Sequence, residues 1–145
     1  MADQHSQQEE HEEHEKHMRR CRVLAEEATS GGDAPVGSLV LRDGQVIAEG
    51  VEAVKVQTDV TAHAEIVAIR KACGALGTLD LSGATLYTTT EPCLMCSYAI
   101  RQTRISTVVI EKPTEKGGGV TSPYPILTDE SFPIGGPPPE IILGI

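Results

Sequence analysis

The chain has 145 residues, of which 39% are hydrophobic and 23% charged, with a formal net charge of −9. That length and balance suit one globular domain with its own core, and no apolar run approaches the ~20 residues that cross a bilayer. The acidic balance argues against a nucleic-acid partner, because binding to a polyanion draws on clusters of Lys and Arg.

Residues 1–16 are almost wholly polar and carry Glu9, Glu10, Glu12, Glu13 and Glu15 in a short space. They are expected to form a disordered acidic tail ahead of one domain over residues 17–145. The tail has no apolar core, so it is not a secretory signal, and a cytoplasmic location is expected. His11, His14 and His17 recur every third residue. That spacing is open to a surface metal, but a solvated tail or helix face is the favoured reading.

An apolar stripe through Met18, Cys21, Leu24 or Ala25, and Ala28 predicts a helix over residues 16–30, stopped by Gly31-Gly32. Residues 35–41 and 45–49 read as strands joined by an Asp43-Gly44 hairpin turn. Residues 51–62 read as a loop. A second helix is predicted over residues 63–73, ended by Gly74. Residues 84–90 are rich in β-branched side chains and read as a strand, followed by a helix over residues 94–102. Residues 107–111 are near-continuously apolar and predict a central, buried strand. Residues 112–139 are dense in Gly and Pro yet hold Tyr124, Ile126, Leu127 and Phe132. A segment of that kind predicts a folded lid. Residues 140–145 read as a last strand. Strands alternating with helices imply an α/β fold, a sheet with helical crossovers.

Two short stretches carry the chemistry. Thr61-Ala62-His63-Ala64-Glu65 offers a histidine and, two residues on, a glutamate. Glu91-Pro92-Cys93-Leu94-Met95-Cys96 offers two cysteines three residues apart. On a helix that begins there, Cys93 and Cys96 share one face, and a helix N-terminus favours the thiolate. His63 and Glu65 differ by about 200° around a regular helix, so they do not ligate the same ion. His63, Cys93 and Cys96 are therefore the expected Zn²⁺ ligands, which leaves the fourth position open as in catalytic sites. Glu65 is expected to handle the proton of the attacking water. Of the other cysteines, Cys21 and Cys73 are expected to be buried thiols, and Cys73 is only an awkward candidate for a fourth ligand. Tyr87 and Tyr98 are expected in the core. Tyr124 and Phe132 are placed in the lid, where they can either stack on a flat heterocycle or anchor the lid. Arg101 and Arg104 lie close enough to form a local basic patch.

The pattern His-x-Glu followed by Pro-Cys-x-x-Cys is the signature of zinc-dependent base deaminases. Together with Ala34-Pro35-Val36-Gly37, the Asp43-Gly44 hairpin and Leu86-Tyr87-Thr88-Thr89-Thr90, the chain resembles the cytidine deaminase-like superfamily. It looks closest to the branch of tRNA adenosine deaminases, guanine deaminases and fungal-type cytosine deaminases. The resemblance covers residues 18–111. It implies a three-layer α/β/α sandwich with a mixed sheet of about five strands, a homodimer, and hydrolytic loss of ammonia from an amino-heterocycle. It also implies a substrate contact from the Ala64 backbone N–H. Counting back from His63, Glu52 stands where that branch usually carries an asparagine that contacts substrate. The segment Gly117-Gly118-Gly119-Val120-Thr121-Ser122-Pro123-Tyr124-Pro125 also departs from the tRNA enzymes. Many relatives continue past the position of Ile145 into a C-terminal helix, so a shortened chain or a piece of one is expected.

The expected activity is deamination of a small nucleobase or nucleoside, guanine-like or cytosine, with substrate contacts from Glu52, Ala64, Tyr124 and Phe132. Glu52 is the reason for that order, because an ionised glutamate only accepts hydrogen bonds and suits an edge rich in donors. The alternative is adenosine editing in tRNA. A structural-zinc module is the non-enzymatic alternative, and it lacks a clear fourth protein ligand.

Overall fold

A computed structural model describes residues 4–133 and 135–145. The elements run α1 (Gln4–Ser30), β1 (Gly37–Arg42), β2 (Gln45–Val51), α2 (Val54–Gln57), α3 (Ala64–Leu76), β3 (Thr85–Thr90), α4 (Leu94–Thr103), β4 (Thr107–Lys112) and β5 (Glu140–Leu143). The strands form one sheet in the order β2-β1-β3-β4-β5. β1 pairs antiparallel with β2 and β3, while β3–β4 and β4–β5 are parallel. The α/β sandwich with a mixed five-stranded sheet is the expected one. β4 is an interior strand with Val108, Val109 and Ile110 fully buried.

Alternation along the strands builds the layers, because successive side chains point to opposite faces. Leu39, Tyr87 and Val109 meet Met18 and Cys21 of α1 on one face. Val40, Leu86, Val108 and Ile110 meet Ala68, Ile69, Ala72 and Ile100 of α3 and α4 on the other. Two glycines let the helices come close. A Cβ on Gly37 would lie 2.1 Å from the Cys21 carbonyl oxygen of α1, and one on Gly50 would lie 2.1 Å from the Ala64 carbonyl oxygen of α3.

The structure corrects several boundaries. The predicted disordered tail is helical from Gln4, and its first three positions lie outside the described residues. Glu, Gln and His propagate a helix, with His5–Glu9 (2.8 Å) and Gln8–Glu12 (3.4 Å) pairs one turn apart. His14 then ties the helix to the sheet, with its Nδ1 2.8 Å from the Tyr87 hydroxyl. The 51–62 loop holds the short α2, whose Lys55 and Val56 amides donate to Asp33 at 2.7 and 3.2 Å. α3 runs through Gly74 and stops at Gly77, which takes the left-handed conformation that glycine adopts without strain (φ 64°). Tyr87 is core as expected, but Tyr98 is exposed and Cys73 is only half-buried. Arg101 is buried and donates to the carbonyls of Ile126, Asp129 and Gly136, so it forms no basic patch with Arg104. No described helix is long and apolar enough to cross a membrane.

Two predictions follow from this packing. Gly50→Ala drives a methyl group into the α3 backbone and should cost ~1–3 kcal/mol in chemical denaturation. Wild-type stability in that variant would show that α3 moves freely over β2. The second concerns His17, whose ring sits 5.1 Å from that of Tyr87. Burial holds its imidazole below the ordinary value, against the pull of Glu13. A depressed histidine contributes stability that is complete above its unfolded pKa and is lost as pH falls through the folded value. The melting temperature should therefore fall from about pH 7 to about pH 5.5, and His17→Gln should flatten that slope. Parallel slopes in the two proteins would exclude His17 as its source.

Candidate active site

The two sequence stretches meet because both end in a helix start at the same end of the sheet, past the C-terminal ends of β2 and β3. His63 is the N-cap of α3 and Cys93 the N-cap of α4, both with extended backbone. Cys96 follows one turn into α4. The His63 Nδ1 atom lies 3.6 Å from the sulfur of Cys93 and 3.6 Å from that of Cys96. The three donor atoms all lie within 4.8 Å of one another, and they are the one metal-ligating group found among the described residues.

These distances fit zinc. Bonds of ~2.0–2.1 Å to nitrogen and ~2.3 Å to sulfur, at a tetrahedral angle, separate the ligand atoms by about 3.6 Å. The thiol chemistry fits too. A hydrogen bond from Cys96 pushes the Cys93 thiol down to about 5, and the same bond pushes the Cys96 thiol up. Holding a divalent ion requires both thiols deprotonated, so binding one releases protons. Cys73 lies outside this group, so the described residues leave the fourth position to a non-protein ligand.

Glu65 lies in the first turn of α3 and is 3% exposed. Burial pushes its carboxyl up to about 8. A carboxyl near neutrality both accepts and returns a proton at working pH, which suits a general acid–base. A cavity of about 150 Å³ brings Glu65, His63, Cys93 and Glu52 together, with Val36, Thr90, Glu91 and Thr114 completing its wall. A second cavity of about 350 Å³ shares Glu52 and His63 and opens outward past Asp33, Val54 and Lys55.

A family model described as the cytidine and deoxycytidylate deaminase zinc-binding region matches residues 11–112. The chain belongs to this deaminase family. It is 42% identical over 108 residues to the tRNA-specific adenosine deaminase of Aquifex aeolicus, which covers 74% of this chain and 72% of that protein. The tRNA-specific adenosine deaminase of Agrobacterium fabrum is 44% identical over 105 residues, covering 72% and 69%. A structure from studies of A-to-I editing by tRNA:A34 deaminases superposes with a TM-score of 0.81 at 39% identity, covering 88% of this chain and 95% of that one. The guanine deaminase of Bacillus subtilis superposes with a TM-score of 0.67 at 42% identity, covering 69% and 64%. The deaminase is thus zinc-binding and hydrolytic.

The relatives overturn the expectation of a partner other than nucleic acid. The Aquifex and Agrobacterium proteins are specific for tRNA. Net charge fails as a guide here because a base deaminase engages one extruded base and its immediate neighbours, not a long phosphate track.

The structure brings Glu52 to the pocket, where its Oε1 accepts the Ala64 N–H at 2.7 Å. That is the donor expected to meet substrate, and Glu52 engages it here. Burial holds the Glu52 carboxyl above its ordinary value, against the Ala64 bond. The two aromatic residues lie apart from this cavity. Tyr124 is 65% exposed, and Phe132 packs edge-on against Tyr98 and under the Arg101 guanidinium. The sequence reading missed Val36, Thr90 and Thr114 in the wall. It also missed the structural use of Glu91, which accepts hydrogen bonds from Thr114, Val120 and Thr121. Burial would push the Glu91 carboxyl up, but the Thr121, Val120 and Thr114 donors outweigh it and hold the group below its ordinary value.

Cys93→Ala should abolish zinc binding measured on the dialysed protein, while Cys73→Ala and Glu65→Ala should each keep one zinc per chain. Loss of zinc in Cys73→Ala would make Cys73 a ligand and the site structural.

Proposed function

We propose that the chain deaminates adenosine to inosine in tRNA. The reading is carried by similarity to tRNA-specific adenosine deaminases over about three-quarters of the chain. The structural likeness at a TM-score of 0.81 supports it. The paired cavities support it as well, since the inner one is base-sized and the outer one leaves room for the attached sugar.

Zinc, held by His63, Cys93 and Cys96, supplies Lewis acidity that lowers the pKa of a bound water. Glu65 accepts the proton from the attacking water and returns it to the purine N1 as the C6–O bond forms. It then takes the proton of the new C6 hydroxyl and passes it to the amine, and ammonia leaves as the C6–N bond breaks and the C6=O double bond forms. Removing this acid–base group should cost ~10²-fold or more in kcat.

Glu52 stands where the inner and outer cavities join. Oε1 is committed to Ala64, and Oε2 has no hydrogen-bond partner among the described residues. A ribose hydroxyl supplies the donor that this acceptor lacks, so Glu52 is the residue proposed to read the sugar. If substrate takes the Ala64 N–H, Glu52 yields it.

The test is a tRNA transcript with adenosine at the wobble position, assayed for inosine with wild type and Glu65→Ala. Wild type should form inosine and the variant should not. Ammonia from free guanine or cytosine, with no inosine in any tRNA, would contradict the proposal. A 2′-deoxyadenosine at the target position should lower kcat/KM about ten- to hundredfold in wild type but little in Glu52→Ala, as expected for a charged hydrogen bond of ~1.5–3 kcal/mol. Equal discrimination by both proteins would remove Glu52 from sugar recognition.

A further inference from the structure

Glu91 is a carboxylate buried to 2% exposure, and no cation is paired with it among the described residues. Its charge is met by donors from one short stretch of chain. Oε1 accepts from the Thr114 N–H (3.2 Å) and the Thr121 hydroxyl (2.7 Å). Oε2 accepts from the Val120 N–H (2.9 Å) and the Thr121 N–H (2.8 Å). All four acceptor directions of the carboxylate are thereby used.

That stretch forms a strap over the metal-binding turn. Gly118 bridges to Cys93, and the Gly119 N–H donates to the Pro92 carbonyl at 2.9 Å. The strap lies so close that a Cβ on Gly118 would fall 2.0 Å from Glu91 Oε2, and one on Gly119 2.0 Å from the Ser97 hydroxyl. At its far end the Leu127 N–H donates to the Gly119 carbonyl, and Leu127 is fully buried. At its near end Thr114 stands in the cavity wall with His63, Glu65 and Cys93. A buried charge that loses one partner is costly, so the carboxylate and the strap hold each other in place.

We propose that Glu91 is a positioning residue for the metal centre. Its carboxylate clamps the glycine strap onto the Pro92–Cys93 turn, which keeps the Cys93 sulfur in place and slows loss of the ion. The proposal rests on the zinc centre and is independent of which substrate is deaminated.

The test is the rate at which zinc-loaded protein surrenders its ion to a chromogenic chelator. Glu91→Gln sets an amide NH₂ against N–H donors, and it should start with one zinc per chain and release it at least tenfold faster. Hydrogen exchange at Val120 and Thr121 should rise in the same variant. Thr121→Ala removes only the hydroxyl donor from an exposed residue, so it tests the clamp even where Glu91→Gln folds poorly. It should speed release by about two- to fivefold, well within one ordinary hydrogen bond. Gly37→Ala disturbs the opposite face of the sheet and serves as a control for lost stability, with wild-type release expected. Wild-type release rates in Glu91→Gln or in Thr121→Ala would overturn the proposal. So would equal acceleration in Gly37→Ala at the same loss of melting temperature.

Discussion

The structure depends on two helix starts being held face to face. His63 caps α3, Cys93 caps α4, and the three donor atoms come within reach of one ion only if both helices begin at the same end of the sheet. The helix starts supply more than position. The exposed amides and the positive end of the helix favour thiolate and carboxylate at the same place. Glu65 is carried to the site by the first turn of α3, and the body of the protein buries it. One short segment therefore delivers His63 to the metal-ligating group and Glu65 to a buried position beside it.

Much of the sheet's design serves that placement. Gly37 and Gly50 lie on adjacent strands and face opposite layers, each admitting a helix backbone closer than any side chain would allow. The β1–β2 hairpin turns through Asp43 and Gly44, both at positive φ, as its Asp-Gly pair implies. The parallel strands β3 and β4 then set the end of β3 beside the Pro92–Cys93 turn, and the Glu91 N–H donates to the Lys112 carbonyl at 2.9 Å. The Pro92–Cys93 turn is therefore tied down on one side by the sheet and on the other by the glycine strap.

The parts legible in the sequence were those governed by local chemistry. His63, Glu65, Cys93 and Cys96 carry spacings that few other uses require. The strands carry β-branched residues bounded by turn signals. The parts that were not legible depend on partners far along the chain. Glu91 reads as one more carboxylate, because its donors are backbone amides and one hydroxyl from a loop more than twenty residues on. The run Gly117-Gly118-Gly119 was the available signal, since three glycines together imply close backbone approach. Arg101 reads as a surface cation for the same reason, its acceptors being carbonyls of the 126–136 segment. The acidic N-terminus reads as a tail, and its docking on Tyr87 through His14 spans 73 positions. Net charge misled about the partner, because it sums over the whole surface while recognition of one base is local.

Zinc-edge X-ray absorption on the purified protein reads the ligand set of the His63, Cys93 and Cys96 group directly. One nitrogen and two sulfur ligands are expected, with bonds of ~2.0–2.1 and ~2.3 Å, and one further light atom from solvent. Four protein ligands, or a zinc-free protein that is fully active in inosine formation, would contradict this expectation.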